Sequence, residues 1–142
     1  MNEKTITLNG QEVKMMYCAS TENLFEESAN KSIAVCLPHP ILDEKGKEVL
    51  GEDGKPILEV DATIGDWLAL AYAGILSVYV RDGLPVPIEY RYLLYEATPT
   101  ERNNMINSIT KLMKQWYQEP EVFAERRRND EPKEAKKKRT KN

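Results

Sequence analysis

Residues 61–80, DATIGDWLALAYAGILSVYV, decide the fold. From Trp67 to Val80 every residue is apolar, Gly or Ser. Ile64, Trp67, Ala71, Ile75 and Val78 recur at three- and four-residue steps, which makes one face a helical stripe. Leu70, Tyr72, Ala73 and Leu76 fill the other faces. A helix that is apolar nearly all round must be covered on more than one side, by its own chain or by a partner. The run is short of the roughly 20 residues a membrane span needs, so no membrane partner is expected. The stretch reads as a central core helix with one face kept for association. Asp61 or Thr63 caps it, and Asp66 sits in the first turns. Gly74 costs about 1 kcal/mol relative to Ala, tolerable where another backbone comes close, so it marks a crossing. Gly83 suits the left-handed position at its end.

On the N-terminal side, residues 4–8 alternate as a strand, Asn9-Gly10 is a strong hairpin turn, and residues 11–17 return with Val13 and Met15 on one face. Ser20 is the expected cap of a short helix over 21–30, with Glu22 in its first turn. The apolar run 33–37 is broken by Pro38-His39-Pro40. Then comes an echo: residues 44–50, EKGKEVL, line up eight residues later with EDGKPIL at 52–58. Each copy is a Gly-containing turn and a brief strand, so 41–60 reads as an exposed hairpin or loop.

On the C-terminal side, residues 84–87, LPVP, form an extended link. A short helix over 88–96 is dense in tyrosine, with Pro87 suited to its first position and Tyr90, Tyr92 and Tyr95 within it. Thr98-Pro99-Thr100-Glu101 is a full helix-start signal: a cap, a first-turn proline and the acidic end of a capping box. Met105, Ile106, Ile109, Leu112, Met113, Trp116 and Tyr117 make one stripe on the helix that follows, ending near Tyr117. That stripe is the expected partner of the central helix, anchored by burial of Trp67 and Trp116.

The chain has 142 residues and a net charge of −3. Residues 126–142 carry nine Lys or Arg against three Asp or Glu, a charge of +6. The remainder, with eleven against twenty, is −9. An acidic body with a basic end results, and residues 121–142 are expected to be disordered for lack of apolar surface. The predicted class is α+β: a single domain over 1–120, with an N-terminal β-hairpin on a bundle of three to four helices. Cys18 and Cys36 lack CxxC spacing, and MNEKTITLNG has no apolar signal region. Both point to free thiols and a reducing cytoplasm.

Reactive chemistry is scarce. His39, the sole histidine, lies between two prolines with no Cys, His or carboxylate at ligand spacing, and reads as a loop residue. Asp61 and Asp66 are better explained as a cap and a helix-dipole partner than as paired catalytic carboxylates. No phosphate-loop, dinucleotide, nucleophile-elbow or HExxH motif occurs. No catalytic, cofactor or metal residue is expected, and the chain does not read as an enzyme. The basic end could neutralise phosphates, but it has no interleaved aromatics after Phe123 and the body is acidic. A solvated end is the simpler reading, so nucleic acid is not the expected partner. The tyrosines at 90, 92 and 95 fit a recognition surface or ordinary edge-of-core packing equally well.

The order of parts resembles a known family. TITLNGQEVKMMY, then STENLFEESANKSI, then DATIGDWLALAYAGILSVYVRDG, then LLYEATPTERNNMINSITKLMKQWY is similar to the tail assembly chaperones of long-tailed bacteriophages and prophages. The resemblance spans most of residues 5–117, with 41–60 as an insertion outside it. It implies a non-enzymatic protein of the bacterial host cytoplasm, absent from the finished virion. The implied client is the tape measure protein, with the tail tube protein as a further partner and self-association into a homo-oligomer. A programmed frameshift often extends the shorter product in this family, and lysine codons over 135–139 would allow one. On this reading the protein-binding residues are Trp67, Leu70, Tyr72, Leu76, Tyr79 and Trp116. The alternatives are a nucleic-acid-binding accessory protein acting through the basic end, and a structural tail component.

Overall fold

The computed structural model describes residues 3–118, so the expected disordered end over 121–142 lies outside the described residues. Those residues fall into two units: residues 3–31 with Thr63–Gln118, and Ser32–Ala62. The class is α+β, with a two-stranded hairpin and four helices.

The first unit is built on helix α2, Ile64–Asp82. Its start is closed reciprocally. The Thr63 hydroxyl accepts the Asp66 N–H at 3.1 Å, and the Asp66 carboxylate accepts the Thr63 N–H at 3.0 Å. Asp66 is buried, and both of its carboxylate oxygens also accept from Lys31 Nζ, at 3.0 and 3.1 Å. Burial alone would raise its carboxyl, but the Thr63 N–H and the Lys31 charge outweigh it and hold it below its ordinary 3.8. Gly83 ends the helix with φ 67°.

The hairpin pairs β1, Glu3–Leu8, with β2, Gln11–Met16, antiparallel from Glu3↔Met16 to Leu8↔Gln11. Asn9 and Gly10, with φ of 52° and 74°, make the two-residue turn that the Asn-Gly pair foretells. Ile6, Leu8, Val13 and Met15 are buried, while Thr5, Thr7, Glu12 and Lys14 face solvent. A lone hairpin is marginal in water. This one is held by packing β2 on α2 and β1 on the last helix.

Helix α1, Ala19–Ala29, starts two residues earlier than the Ser20 cap implied. Cys18 is the cap, because Thr21 rather than Ser20 supplies the closing group: its hydroxyl accepts the Cys18 N–H at 3.2 Å. The same hydroxyl is fully buried and lies 2.9 Å from Ser77 Oγ on α2. Asn30 ends α1 in the left-handed region.

Helix α3, Tyr90–Tyr95, is shorter than 88–96. Ile88 stays in the extended link, buried, and its carbonyl accepts the Tyr72 hydroxyl at 2.9 Å. Helix α4, Pro99–Trp116, opens with the predicted box, Thr98 Oγ1 accepting Glu101 N–H and Glu101 accepting Thr98 N–H. Met105, Ile109, Leu112 and Met113 are its buried face.

The α2–α4 contact is made differently from the aromatic anchor expected. Trp67 is half-buried and Trp116 is 43% exposed, with its ring 6.2 Å from Tyr17. The close approach is at Gly74. A Cβ there would come within 2.8 Å of both Ile109 Cδ1 on α4 and the carbonyl oxygen of Met16 on β2. The glycine therefore admits a strand backbone as well as a helix side chain.

The second unit opens with one 3-10 turn, Ile33–Cys36, capped by Ser32, whose hydroxyl accepts the Ala34 N–H at 3.1 Å. Ile33, Ala34, Cys36 and Leu37 are buried. Strand β3, His39–Pro40, pairs with β4, Leu58–Glu59. Between them lie two tight turns. Asp43 accepts the N–H groups of Lys45 and Lys47, and Asp53 accepts that of Lys55. Three backbone bonds close a ring: Ile41 N–H to Ile57 C=O, Val49 to Ile41, and Ile57 to Val49, at 2.8–2.9 Å. The eight-residue echo thus continues to a further copy at Ile41-Leu42. Leu42, Leu50 and Leu58, each following a ring residue, are 58%, 58% and 56% exposed.

Candidate protein-binding surface

Four neighbours, α1, β2, α3 and α4, cover α2. The chain itself therefore supplies most of the cover that an all-round apolar helix demands. Of the six residues expected to bind protein, Leu70 is completely buried and offers no surface. Its side chain belongs to the core because α2 is enclosed at that level. Tyr79 is half-buried against the hairpin, its hydroxyl accepting the Lys14 N–H at 3.1 Å. Trp67 is half-buried and Trp116 exposed.

Tyr72 and Leu76 come together, in a groove between α1 and α2. Leu24, Glu27 and Ser28 line it from α1; Ala69, Tyr72, Ala73 and Leu76 from α2; and Tyr90 of α3 closes one part. The space is about 330 Å³. Both helices contribute positions spaced i, i+3, i+4, and α2 adds i+7, so two helical stripes stand apart with a gap between them. The small side chains of Ala69 and Ala73, both buried, lower the α2 side of the gap.

The aromatic end of the groove is pre-ordered. The rings of Tyr72 and Tyr90 lie 5.2 Å apart and tilted, and the Tyr72 hydroxyl is tied to Ile88. Burial, then the Glu89 charge, push the Tyr72 phenol above its ordinary 10.0. Burial, then the Asp66 charge, do the same for Tyr90. Both remain neutral hydroxyls at physiological pH, as suits a mainly apolar groove. Of the three tyrosines weighed as a recognition cluster, Tyr90 alone lines this groove. Tyr92 gives its hydroxyl to Glu101 at 2.9 Å, and Tyr95 is 82% exposed.

Sequence reasoning missed several residues here. Glu22 is more than a dipole partner: the hydroxyls of Tyr17 and Tyr117 both donate to its Oε2. That joins β2, α1 and the end of α4. Leu24 lines the groove from α1 with no sequence signal of its own. The signal that marks it is the matching edge on α2, legible only once the two helices are placed side by side.

His39 also has neighbours that chain spacing hides. Asp61 Oδ1 lies 2.9 Å and Glu59 Oε1 3.8 Å from its Nε2. They stand some twenty residues away and are brought close by the β3–β4 pairing.

No family model, curated protein or solved structure matches this chain. Among the described residues no helix is long and apolar enough to cross a membrane.

Proposed function

We propose that this chain is a non-enzymatic assembly chaperone of the phage tail type, acting in the host cytoplasm, which holds an apolar helical segment of its client in the α1–α2 groove. The observation that carries the reading is the groove itself: two helix stripes, separated and mostly apolar, with a volume of about 330 Å³. A groove between two helices suits an amphipathic helix laid across it, read through anchors at i, i+3, i+4 and i+7. A tape measure protein, long and helical, offers many such segments. The acidic body favours segments whose polar edge carries Lys or Arg, and Glu27 stands at the groove wall.

Trp116, Val80, Ile64 and Tyr95 supply further exposed apolar area outside the groove. Such area fits self-association or secondary client contacts.

The test is co-expression with a tape measure protein, comparing the wild type with Leu76→Glu and with Leu24→Glu. The wild type is expected to raise the client's soluble fraction several-fold, and each variant to abolish the gain while melting within a few degrees of wild type. A client equally soluble with and without the chain overturns the reading. If both variants protect as well as wild type, the groove is not the contact.

A further inference from the structure

We propose that His39, Glu59 and Asp61 form a binding site for one divalent transition-metal ion, with Zn²⁺ the best match, at the base of the 32–62 unit. The site is independent of the groove and of the chaperone reading. Its three ligand atoms, one imidazole nitrogen and two carboxylate oxygens, lie within 4.8 Å of one another.

The imidazole is oriented for the task. His39 Nδ1 is 3.2 Å from the Pro40 carbonyl oxygen, which can only accept, so Nδ1 carries the proton and donates. Nε2 is thereby turned to Asp61 Oδ1 at 2.9 Å and Glu59 Oε1 at 3.8 Å. A metal-bound histidine has this arrangement: one nitrogen donating to a backbone carbonyl, the other presented to the ion. The side chain is 17% exposed, so the ring is held by its surroundings, whereas Glu59 and Asp61, at 51% and 53%, leave an open path for an ion and its waters.

Three acceptors converging on one point repel unless something positive lies between them. A proton on Nε2 answers Asp61 but leaves Glu59 beyond hydrogen-bond range. An ion about 2.0–2.2 Å from each ligand answers all three. Ligands on a tetrahedral ion at that distance stand roughly 3.4 Å apart, and the observed 2.9 and 3.8 Å bracket that value. Small rotations of the exposed carboxylates bring the set into place. Two carboxylates neutralise the ion's charge, and a nitrogen among them favours Zn²⁺ over Mg²⁺ or Ca²⁺, which prefer all-oxygen shells. Water takes the fourth position. The bound ion would clip the two-residue β3–β4 ladder at the two ends of the excursion from His39 to Glu59.

The experiment uses the untagged full-length chain and Zn²⁺ alone. His39 is the only histidine, so its ring resonances in a long-range ¹H–¹⁵N spectrum report this site without overlap. They also separate it from any Zn²⁺ taken by Cys18 or Cys36. The expected result is a shift of the Nε2 resonance that saturates at one equivalent. Asp61→Asn and Glu59→Gln should each weaken that response at least ~10-fold while the remaining amide spectrum stays that of the folded chain. Mg²⁺ should leave the ring unmoved. A ring that does not respond to excess Zn²⁺ overturns the proposal, and so does a response that both variants retain at full strength.

Discussion

Single residues in this chain often serve two masters, and Gly74 is the sharpest case. By helix propensity alone, alanine in its place would gain about 1 kcal/mol. The Met16 carbonyl oxygen, 2.8 Å from where the new Cβ would sit, is backbone and cannot swing aside as Ile109 Cδ1 can. Gly74→Ala should therefore destabilise by about 1–3 kcal/mol, read as a lower urea midpoint at unchanged slope. A gain in stability would show that α2 and β2 lie farther apart. Asp66 likewise caps α2 and pairs with Lys31. Its folded carboxyl sits below its ordinary 3.8. A lowered carboxyl contributes stability above the unfolded value and loses it as pH falls through the folded one. Asp66→Asn should cost about 1–3 kcal/mol at neutral pH, with the gap to wild type closing as the pH drops below 3.8. Urea melts of both proteins at neutral and acid pH check this; a gap that is constant with pH would mean the charge is irrelevant.

At the scale of elements, the joints are made by side chains whose partners lie far along the chain. Glu101 was legible as the acidic end of a capping box and does that. It also accepts the Asn9 N–H of the hairpin turn at 2.9 Å and the Tyr92 hydroxyl of α3. These bonds hold its carboxyl down, the Thr98 and Asn9 N–H groups foremost. Glu101→Ala should cost about 1–3 kcal/mol, more than the roughly 1 kcal/mol of a simple cap, because three elements lose their common acceptor. Thermal melts give the size of the loss. A cost no larger than that of Thr98→Ala would reduce Glu101 to a cap alone. The hairpin, α2 and α4 were readable because their signals are local: Asn-Gly, a dense apolar run, and T-P-T-E. The misjudged boundaries, at α1 and α3, are places where a distant group decides the matter. Thr21 is drawn to Ser77, and the Ile88 carbonyl is taken by Tyr72.

For the whole molecule, the two units differ in what holds them. The first has a buried apolar centre along α2 and α4. The span from Ile41 to Val60 is held by turn and ribbon hydrogen bonds, with Leu42, Leu50, Ile57, Leu58 and Val60 all exposed. Amides of α2 from Leu70 to Val78 should exchange with solvent only through global unfolding. Those of Ile41, Val49 and Ile57 should exchange at least ~100-fold faster through local opening. Hydrogen exchange read by NMR or mass spectrometry tests this, and uniform protection would mean that the ribbon unfolds only with the rest.

By itself the sequence determined the class, the order of elements, the hairpin turn, the C-terminal end of α2, the start of α4, and the core stripe of α4, while the start of α2 stayed open between Asp61 and Thr63. Each depends on interactions within a few residues, where spacing is geometry. Only the tertiary structure decided which apolar residues are core and which are surface. Leu70 and Leu76 are alike in sequence, yet one is enclosed and the other lines a groove, because the placement of α1 leaves a gap beside Leu76. The same holds for His39, whose carboxylate neighbours arrive by strand pairing across a long excursion. Chain spacing encodes what lies within a turn of helix or a hairpin; convergence of distant side chains needs the packed backbone to bring them together.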